Sequence, residues 1–170
     1  DRPHMYDLRS RRAEALIPRS LRFELNERLL FDGSVQTPVD HDQLQQLIAQ
    51  LKENDIEAVA VGLLHSYADP THEIAVGQSI AAQLPDITVS LSHELVQEQG
   101  EYERFSTCAM NAFVQPIMAR YLQHIEKSLD AAELAAPLFV MKSNGGVMSA
   151  AAAAQQAVQT ILSGPAGGVV

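Results

Sequence analysis

Ile56-Glu57-Ala58-Val59-Ala60-Val61-Gly62-Leu63-Leu64 is apolar at nearly every position, and a short run of this kind reads as a strand covered on both faces. It is bounded by Glu53-Asn54-Asp55 before it and by His65-Ser66 directly after it. Such a strand needs helices to cover it, and the flanking sequence supplies them. Upstream, Asp40 is placed to cap a helix, with Gln43 three residues on to complete a capping box. Leu44, Leu47, Ile48 and Leu51 then fall at i, i+3, i+4 and i+7 as one apolar stripe. Downstream, Asp69-Pro70 restarts a helix, Asp69 as N-cap and Pro70 at the first helical position. Ile74, Ile80 and Leu84 are assigned to its buried side, His72 and Glu73 to its exposed first turn. Ile87-Thr88-Val89-Ser90-Leu91-Ser92 follows as the next strand. Strands alternating with helices predict an α/β class with a mostly parallel sheet and flanking helices.

Working outward, residues 1–20 are charged and irregular, with Arg9, Arg11, Arg12 and Arg19 among them. From Leu21 to Leu29 the sequence starts as an apolar–polar alternation, a half-buried strand pattern, and Asp32-Gly33 marks the turn of a hairpin returning through Ser34-Val35-Gln36-Thr37. A long helix is predicted from about Glu101 to about Leu129, kinked at Pro116, with Met110, Phe113, Val114, Ile117, Tyr121, Leu122 and Ile125 as its core stripe. Ala131 to Ala136 read as a short linker. Pro137 to Met141 form the next strand, opening into Lys142-Ser143-Asn144-Gly145-Gly146, and Ser149 caps a short alanine helix. A final strand, Val158 to Leu162, is expected to enter the glycine loop Ser163-Gly164-Pro165-Ala166-Gly167-Gly168.

The net charge of -9 argues against non-specific binding to nucleic acid and against docking on anionic membranes. The single cysteine, Cys108, excludes an internal disulfide and fits a reducing cytoplasm. It lies among apolar neighbours of the long helix, where a buried, inert thiol is expected. No segment approaches the run of about 18 apolar residues that a membrane span needs. The first residue is not Met and no helix follows the terminal glycine loop, so the sequence reads as an incomplete internal fragment.

In open α/β sheets, ligands bind beyond the carboxyl ends of the strands. Polar or glycine-rich residues follow the expected strands at His65-Ser66, Ser92-His93-Glu94, Ser143-Asn144-Gly145-Gly146 and Ser163-Gly164. Parallel strands would place them along one edge. A strand entering a glycine loop can bring backbone N–H groups to a phosphate, yet tight turns also use glycine, and Asn144 with Gly145 and Gly146 fits a positive-φ turn equally. Glu101 and Glu103 suit the start of the long helix; Arg104 does not, and its position suits a pair with Glu101 or an anionic ligand. His65, His72 and His93 have no zinc spacing, so no metal ligand is assigned.

Several of these segments together resemble the hydantoinase A/5-oxoprolinase family: Val61 to Glu73, Glu101-Tyr102-Glu103-Arg104, Asn111-Ala112-Phe113, Ser143 to Met148, and Ser163 to Gly168, in the family's order and spacing across essentially the whole chain. The resemblance implies a ribonuclease-H-like lobe of the actin-like ATPase superfamily. It divides the chain into residues 1–105, the end of the family's N-terminal region, and 106–170, the start of the hydantoinase A core region. It implies a parent enzyme that uses ATP and Mg²⁺ to phosphorylate and open a cyclic amide such as 5-oxoproline or a hydantoin. The alternatives it leaves are a subunit of an acetone-type carboxylase and a non-catalytic assembly domain. The family's other phosphate loops are missing here, so ATPase activity of these residues alone is not expected. His65 and Arg104 are implied as catalytic, and Ser143, Asn144 and Ser66 as substrate-binding. Gly145, Gly146, Ser163, Gly164, Ala166, Gly167 and Gly168 are implied as nucleotide-binding. A second subunit of the hydantoinase B type and an oligomeric state complete the expectation.

Overall fold

The computed structural model describes residues 15–134 and 136–168. Most of the charged stretch expected at the start of the chain lies outside the described residues, as do Val169 and Val170. The elements run β1 (Arg28–Leu29), β2 (Val35–Thr37), α1 (His41–Glu53), β3 (Ala58–Val61), α2 (Thr71–Gln83), β4 (Thr88–Leu91), α3 (Ser92–Leu95), α4 (Glu101–Ala131), β5 (Phe139–Met141), β6 (Val147–Ser149), α5 (Ala150–Gln155) and α6 (Ser163–Gly167), with 3-10 turns at Arg19–Leu21 and Ala157–Thr160.

The decisive stretch forms a strand where expected, but a shorter one, Ala58–Val61, with only Val61 buried. Parallel strands β3 and β4 pair from Ala58↔Thr88 to Val61↔Leu91. The core beneath them joins Leu44, Ile48 and Leu51 of α1 to Val76 and Ile80 of α2 and to Val61 and Leu91. Helix α1 starts at Asp40, whose carboxylate accepts from the Gln43 N–H at 3.0 Å. Gln43 does not return that bond. Its side chain accepts from Asn26 N at 2.6 Å and donates to the Glu24 carbonyl at 3.1 Å, while Asp40 N donates to the Asn26 carbonyl. The extended segment from Leu21 is therefore tied to the end of α1, and only Arg28–Leu29 remains to pair with β2. The turn falls at the expected Asp32-Gly33, with Gly33 at φ +82°. Asp69 accepts from Thr71 N at 2.8 Å as foreseen, and α2 begins one residue after Pro70.

Three expectations are corrected. The sheet is not mostly parallel: among the described residues β3–β4 is the parallel pair, and β1–β2 and β5–β6 are antiparallel. Val158 to Leu162 is not a strand. Its backbone is engaged otherwise: Val158 N donates to Asn111 Oδ1 at 2.9 Å, and the Gln159 carbonyl accepts from Ser143 N at 2.7 Å. It forms a 3-10 turn, and the glycine-rich stretch after it is the short helix α6.

The third correction concerns the facing of α4, a 31-residue helix that contains Pro116. Four of the seven residues of its expected core stripe face outward, with Met110 37%, Phe113 61%, Ile117 58% and Tyr121 58% exposed, while Leu122 is buried as expected and Val114 and Ile125 are half-buried. The buried face is Arg104, Cys108, Asn111, Ala112, Gln115 and Leu122. These mostly polar side chains are buried because each of the polar ones finds a partner. Cys108 Sγ donates to the Ser90 carbonyl at 3.3 Å, and Ser90 Oγ donates to Gln115 Oε1 at 2.7 Å. Gly62 lets the helix approach, since a Cβ there would stand 2.6 Å from the Phe105 ring.

Candidate functional site

Two of the four polar strand ends do meet. His65-Ser66 and Ser92-His93 leave β3 and β4, which are adjacent and parallel, and Glu73 stands between them. This carboxylate, expected on the surface, is fully buried, and His72 is 7% exposed. Both are inside because the first turn of α2 packs under the strand ends. His72 Nδ1 lies 2.7 Å from Glu27 Oε2. Glu73 Oε1 accepts from Leu63 N at 2.8 Å and Ser92 Oγ at 2.5 Å. Its Oε2 accepts from His93 N at 3.1 Å and from His93 Nδ1 at 2.7 Å. Burial alone would raise this carboxyl, but the bonds from Ser92, Leu63 and His93 outweigh it and hold the group below its ordinary range.

The sequence-predicted residues fall around this carboxylate. Ser66 is buried with its Oγ 3.3 Å from Ser92 Oγ. Arg104 is fully buried and donates from Nη2 to the Leu63 carbonyl at 2.8 Å. The Leu63 residue is thus gripped at its N–H by an anion and at its C=O by a cation. The guanidinium lies 5.5 Å from the Tyr67 ring and 5.1 Å from Phe105, and its Nε and Nη1 have no partner. It makes no ion pair with Glu101 among the described residues. His65 adopts φ +59°, an uncommon conformation for a non-glycine residue, and its Nδ1 is 3.3 Å from the Tyr67 hydroxyl.

The other two segments form a separate group. Ser143 to Gly146 is the β5–β6 turn, with Gly145 at φ +83°. Gly145 N donates to the Lys142 carbonyl and Gly146 N to Asn144 Oδ1, each at 3.0 Å, so these N–H groups are engaged within the turn. The Ser143 hydroxyl reaches the carbonyls of Gln159 and Ile161, which ties the turn to the segment entering Ser163, Gly164, Ala166, Gly167 and Gly168. Leu162, just before it, is at φ +65° and 75% exposed. A Cβ at Gly164 would meet nothing within 4 Å, so no neighbour among the described residues requires glycine there.

Asn111 joins the two groups. Its Nδ2 donates to Ser90 Oγ at 2.9 Å on β4 and to the Gln155 carbonyl at 2.9 Å, while Oδ1 receives Val158 N. Glu73, Ser92, His93 and Asn111 were not assigned a site role from sequence. The signal for the α4 face was present: Arg104, Cys108, Asn111 and Gln115 keep helical spacing. It is hidden by polarity, because a polar stripe ordinarily marks the solvent face.

Cys108 is not a nucleophile. Burial, with the Glu73 carboxylate nearby, pushes its thiol up to about 12. Against an ordinary thiol near 8.5, this predicts modification by a disulfide reagent at pH 8 roughly 10³-fold slower than for the same thiol in urea. A native rate within tenfold of the denatured one would contradict the burial.

Comparison with known proteins is consistent along the chain. The N-terminal region model of hydantoinase/oxoprolinase matches residues 1–84, and the hydantoinase/oxoprolinase model matches residues 104–170. The chain belongs to the hydantoinase/oxoprolinase family. It is 34% identical over 163 residues to caprolactamase subunit alpha of Pseudomonas jessenii. The crystal structure of the ATP-dependent caprolactamase from that organism superposes with a TM-score of 0.87, over 96% of this chain and 24% of that one. The nucleotide-free structure of acetone carboxylase gives a TM-score of 0.84 at 26% identity, over 94% of this chain and 23% of that one. The 5-oxoprolinase of Saccharomyces cerevisiae is 33% identical over 131 residues, 77% of this chain and 10% of the enzyme. The chain thus spans about a quarter or less of the length of these hydantoinase/oxoprolinase relatives.

Proposed function

We propose that the full-length polypeptide carrying these residues hydrolyses a cyclic amide at the expense of ATP. The observation that carries this reading is the superposition on the ATP-dependent caprolactamase over 96% of the chain at 34% identity. A lactam carbonyl resists water, and ATP supplies the phosphoryl group that turns its oxygen into a leaving group. We read β3, α2 and β4 as part of a ribonuclease-H-like lobe of the actin-like ATPase type. The ends of its strands face the reacting amide through His65, and Ser66, buried against Ser92, shapes that edge from within. Arg104 acts from beneath, holding the Leu63 carbonyl and so the loop that bears His65.

The glycine segments fit a nucleotide only in part. The N–H groups of Gly145 and Gly146 are engaged in their own turn, so in this conformation they do not serve as phosphate donors. Gly164 has open space at its Cα, which fits a phosphate chain passing close beside Ser163, Gly164, Ala166, Gly167 and Gly168. Ser143 and Asn144 shape that segment from the neighbouring turn. Mg²⁺ is expected to enter on the phosphates of ATP, not on a cage of protein ligands among the described residues. They contain no cluster of three or more potential metal ligands, and the oxygens of Glu73 are filled by protein donors. No step is assigned to the metal here.

A second subunit of the hydantoinase B type is proposed as partner, in keeping with a caprolactamase relative that is itself an alpha subunit. Among the described residues no helix is long and apolar enough to cross a membrane. The likeness to acetone carboxylase supports a second reading, a subunit of an ATP-dependent ketone carboxylase. Mg²⁺-dependent ATP turnover by the full-length chain with its partner subunit separates them. Stimulation by ε-caprolactam, 5-oxoproline or a hydantoin is the expected result. Stimulation by acetone and bicarbonate alone would select the carboxylase, and no turnover with any of these would overturn both.

A further inference from the structure

We infer that Glu73 and His93 form a proton-accepting dyad at the carboxyl ends of β3 and β4, with His93 Nε2 as the base and Glu73 as its positioning residue. The dyad rests on the cyclic-amide reading for its substrate, but its geometry is independent of it. Glu73 is fully buried on α2, and His93 is the first residue after Ser92 in the turn that leaves β4. The carboxylate accepts from both the backbone N–H and Nδ1 of His93, so the residue is held at two points. An acceptor at Nδ1 fixes the neutral ring with its proton there and its lone pair on Nε2. Nε2 has no hydrogen-bond partner among the described residues, and the side chain keeps 12% of its surface exposed.

The carboxylate cannot swing away to serve another group. Leu63 N and Ser92 Oγ occupy its other oxygen. Leu63 in turn is held by Arg104, so the buried cation and the loop bearing His65 are fixed by the same set of bonds. This is the arrangement a base requires: an imidazole oriented by a buried carboxylate, with its second nitrogen turned to an accessible edge. A histidine serving only to neutralise Glu73 would not need to leave Nε2 unoccupied at the edge where both strands end.

The chemistry follows from the amide. Its oxygen is a poor nucleophile while the N–H stays intact. Nε2 takes the amide proton as that oxygen bonds to an electrophilic phosphorus of the nucleotide and the bond from phosphorus to the bridging oxygen breaks. The N–H electron pair becomes the C=N bond, and the diphosphate leaves with the electron pair of the broken bond. The imidazolium formed is stabilised by Glu73 at 2.7 Å.

The test uses the full-length chain with its partner subunit, and ε-caprolactam and 5-oxoproline as probes. His93→Asn keeps a donor near the Nδ1 position for Glu73 and removes Nε2. The expected result is a fall of about 10²–10⁴-fold in kcat for amide-dependent ATP turnover, the usual worth of a positioned base, with KM for the amide changed by less than about threefold. Glu73→Gln, which replaces an acceptor of His93 by a donor, is expected to lower kcat in the same way. Independently of any variant's folding, diethyl pyrocarbonate is expected to modify His93 in the wild-type protein, read by peptide mass spectrometry, and saturating amide to slow that modification at least fivefold. An active wild type with His93→Asn within tenfold of its kcat, or no protection by the amide, overturns the dyad alone. A wild type that turns over no cyclic amide overturns the hydrolase reading and the dyad's substrate together.

Discussion

Glu73→Ala is expected to destabilise the β3–β4 region by about 3–5 kcal/mol, the range for removing one partner from a buried charged network. Truncation leaves Leu63 N, Ser92 Oγ and both His93 donors without their acceptor. It also removes a buried carboxylate from the neighbourhood of the buried Arg104. Glu73→Gln keeps one carbonyl oxygen and is expected to cost less, about 1–3 kcal/mol. The measurement is thermal unfolding of the full-length protein together with amide hydrogen exchange at Leu63 and His93. Unchanged exchange at both amides in Glu73→Ala would contradict the network. The pH dependence has a definite sign. The carboxyl is held below its ordinary 4.5 in the folded chain, so its contribution is complete above that value and is lost as pH falls through the folded value. The gap in stability between wild type and Glu73→Gln should therefore narrow on acidification below about pH 4.5.

Asn111→Leu is expected to cost about 2–4 kcal/mol, although the replacement matches the side chain in size. Val158 N, the Gln155 carbonyl and Ser90 Oγ each lose a partner inside the fold, and a buried polar group left unsatisfied costs about 1–3 kcal/mol. The loss should spread beyond the site. The segment that Asn111 holds at Val158 is the one that receives Ser143 at Gln159. Hydrogen exchange is expected to rise at Val158 and Ser143 while β3 amides change less. Asn111→Asp keeps the acceptor for Val158 N and loses the donors, and should fall between. Equal effects on both groups of residues would show that Asn111 is a general core residue rather than the link between them.

The contrast between these two residues and the apolar strands shows what was legible in the sequence. Ile56 to Leu64, the Asp40 cap and the Asp69-Pro70 start are local signals, and each element forms within about three residues of its expected bounds. Helix α4 is legible in its length and period, but its facing is legible only in part, since Leu122 is buried as expected while Met110, Phe113, Ile117 and Tyr121 are exposed. Period alone gives two stripes, and hydrophobicity chooses between them only when burial is driven by apolar area. Here the choice is made by long-range polar pairing of Asn111, Gln115 and Cys108 with residues of β3, β4 and the 155–158 segment. The final strand failed for the same reason, since Val158 and Gln159 have β-forming neighbours but give their backbone groups to Asn111 and Ser143.

The candidate site divides in the same way. His65-Ser66 and Ser92-His93 were correctly placed at one edge because parallel pairing of β3 and β4 follows from strand–helix–strand order. Glu73, the group around which they gather, was assigned to the surface because a glutamate in the first turn of a helix has a sufficient local reason to be there. Nothing local tells a helix-capping carboxylate from one that folds inward to meet Leu63 and Ser92. The Ser143 and Ser163 segments meet through Ser143 rather than through adjacent strands, a contact that sequence order does not encode.

The measurement that bears most directly on the central claim follows one oxygen atom. A cyclic amide carrying ¹⁸O at its ring carbonyl, with ATP, Mg²⁺, the full-length chain and its partner subunit, should release inorganic phosphate that carries the label, because the proposed reaction phosphorylates that carbonyl oxygen. Ring opening with all of the label retained in the product carboxylate, and no acyl phosphate trapped by hydroxylamine, would contradict activation of the amide by phosphoryl transfer.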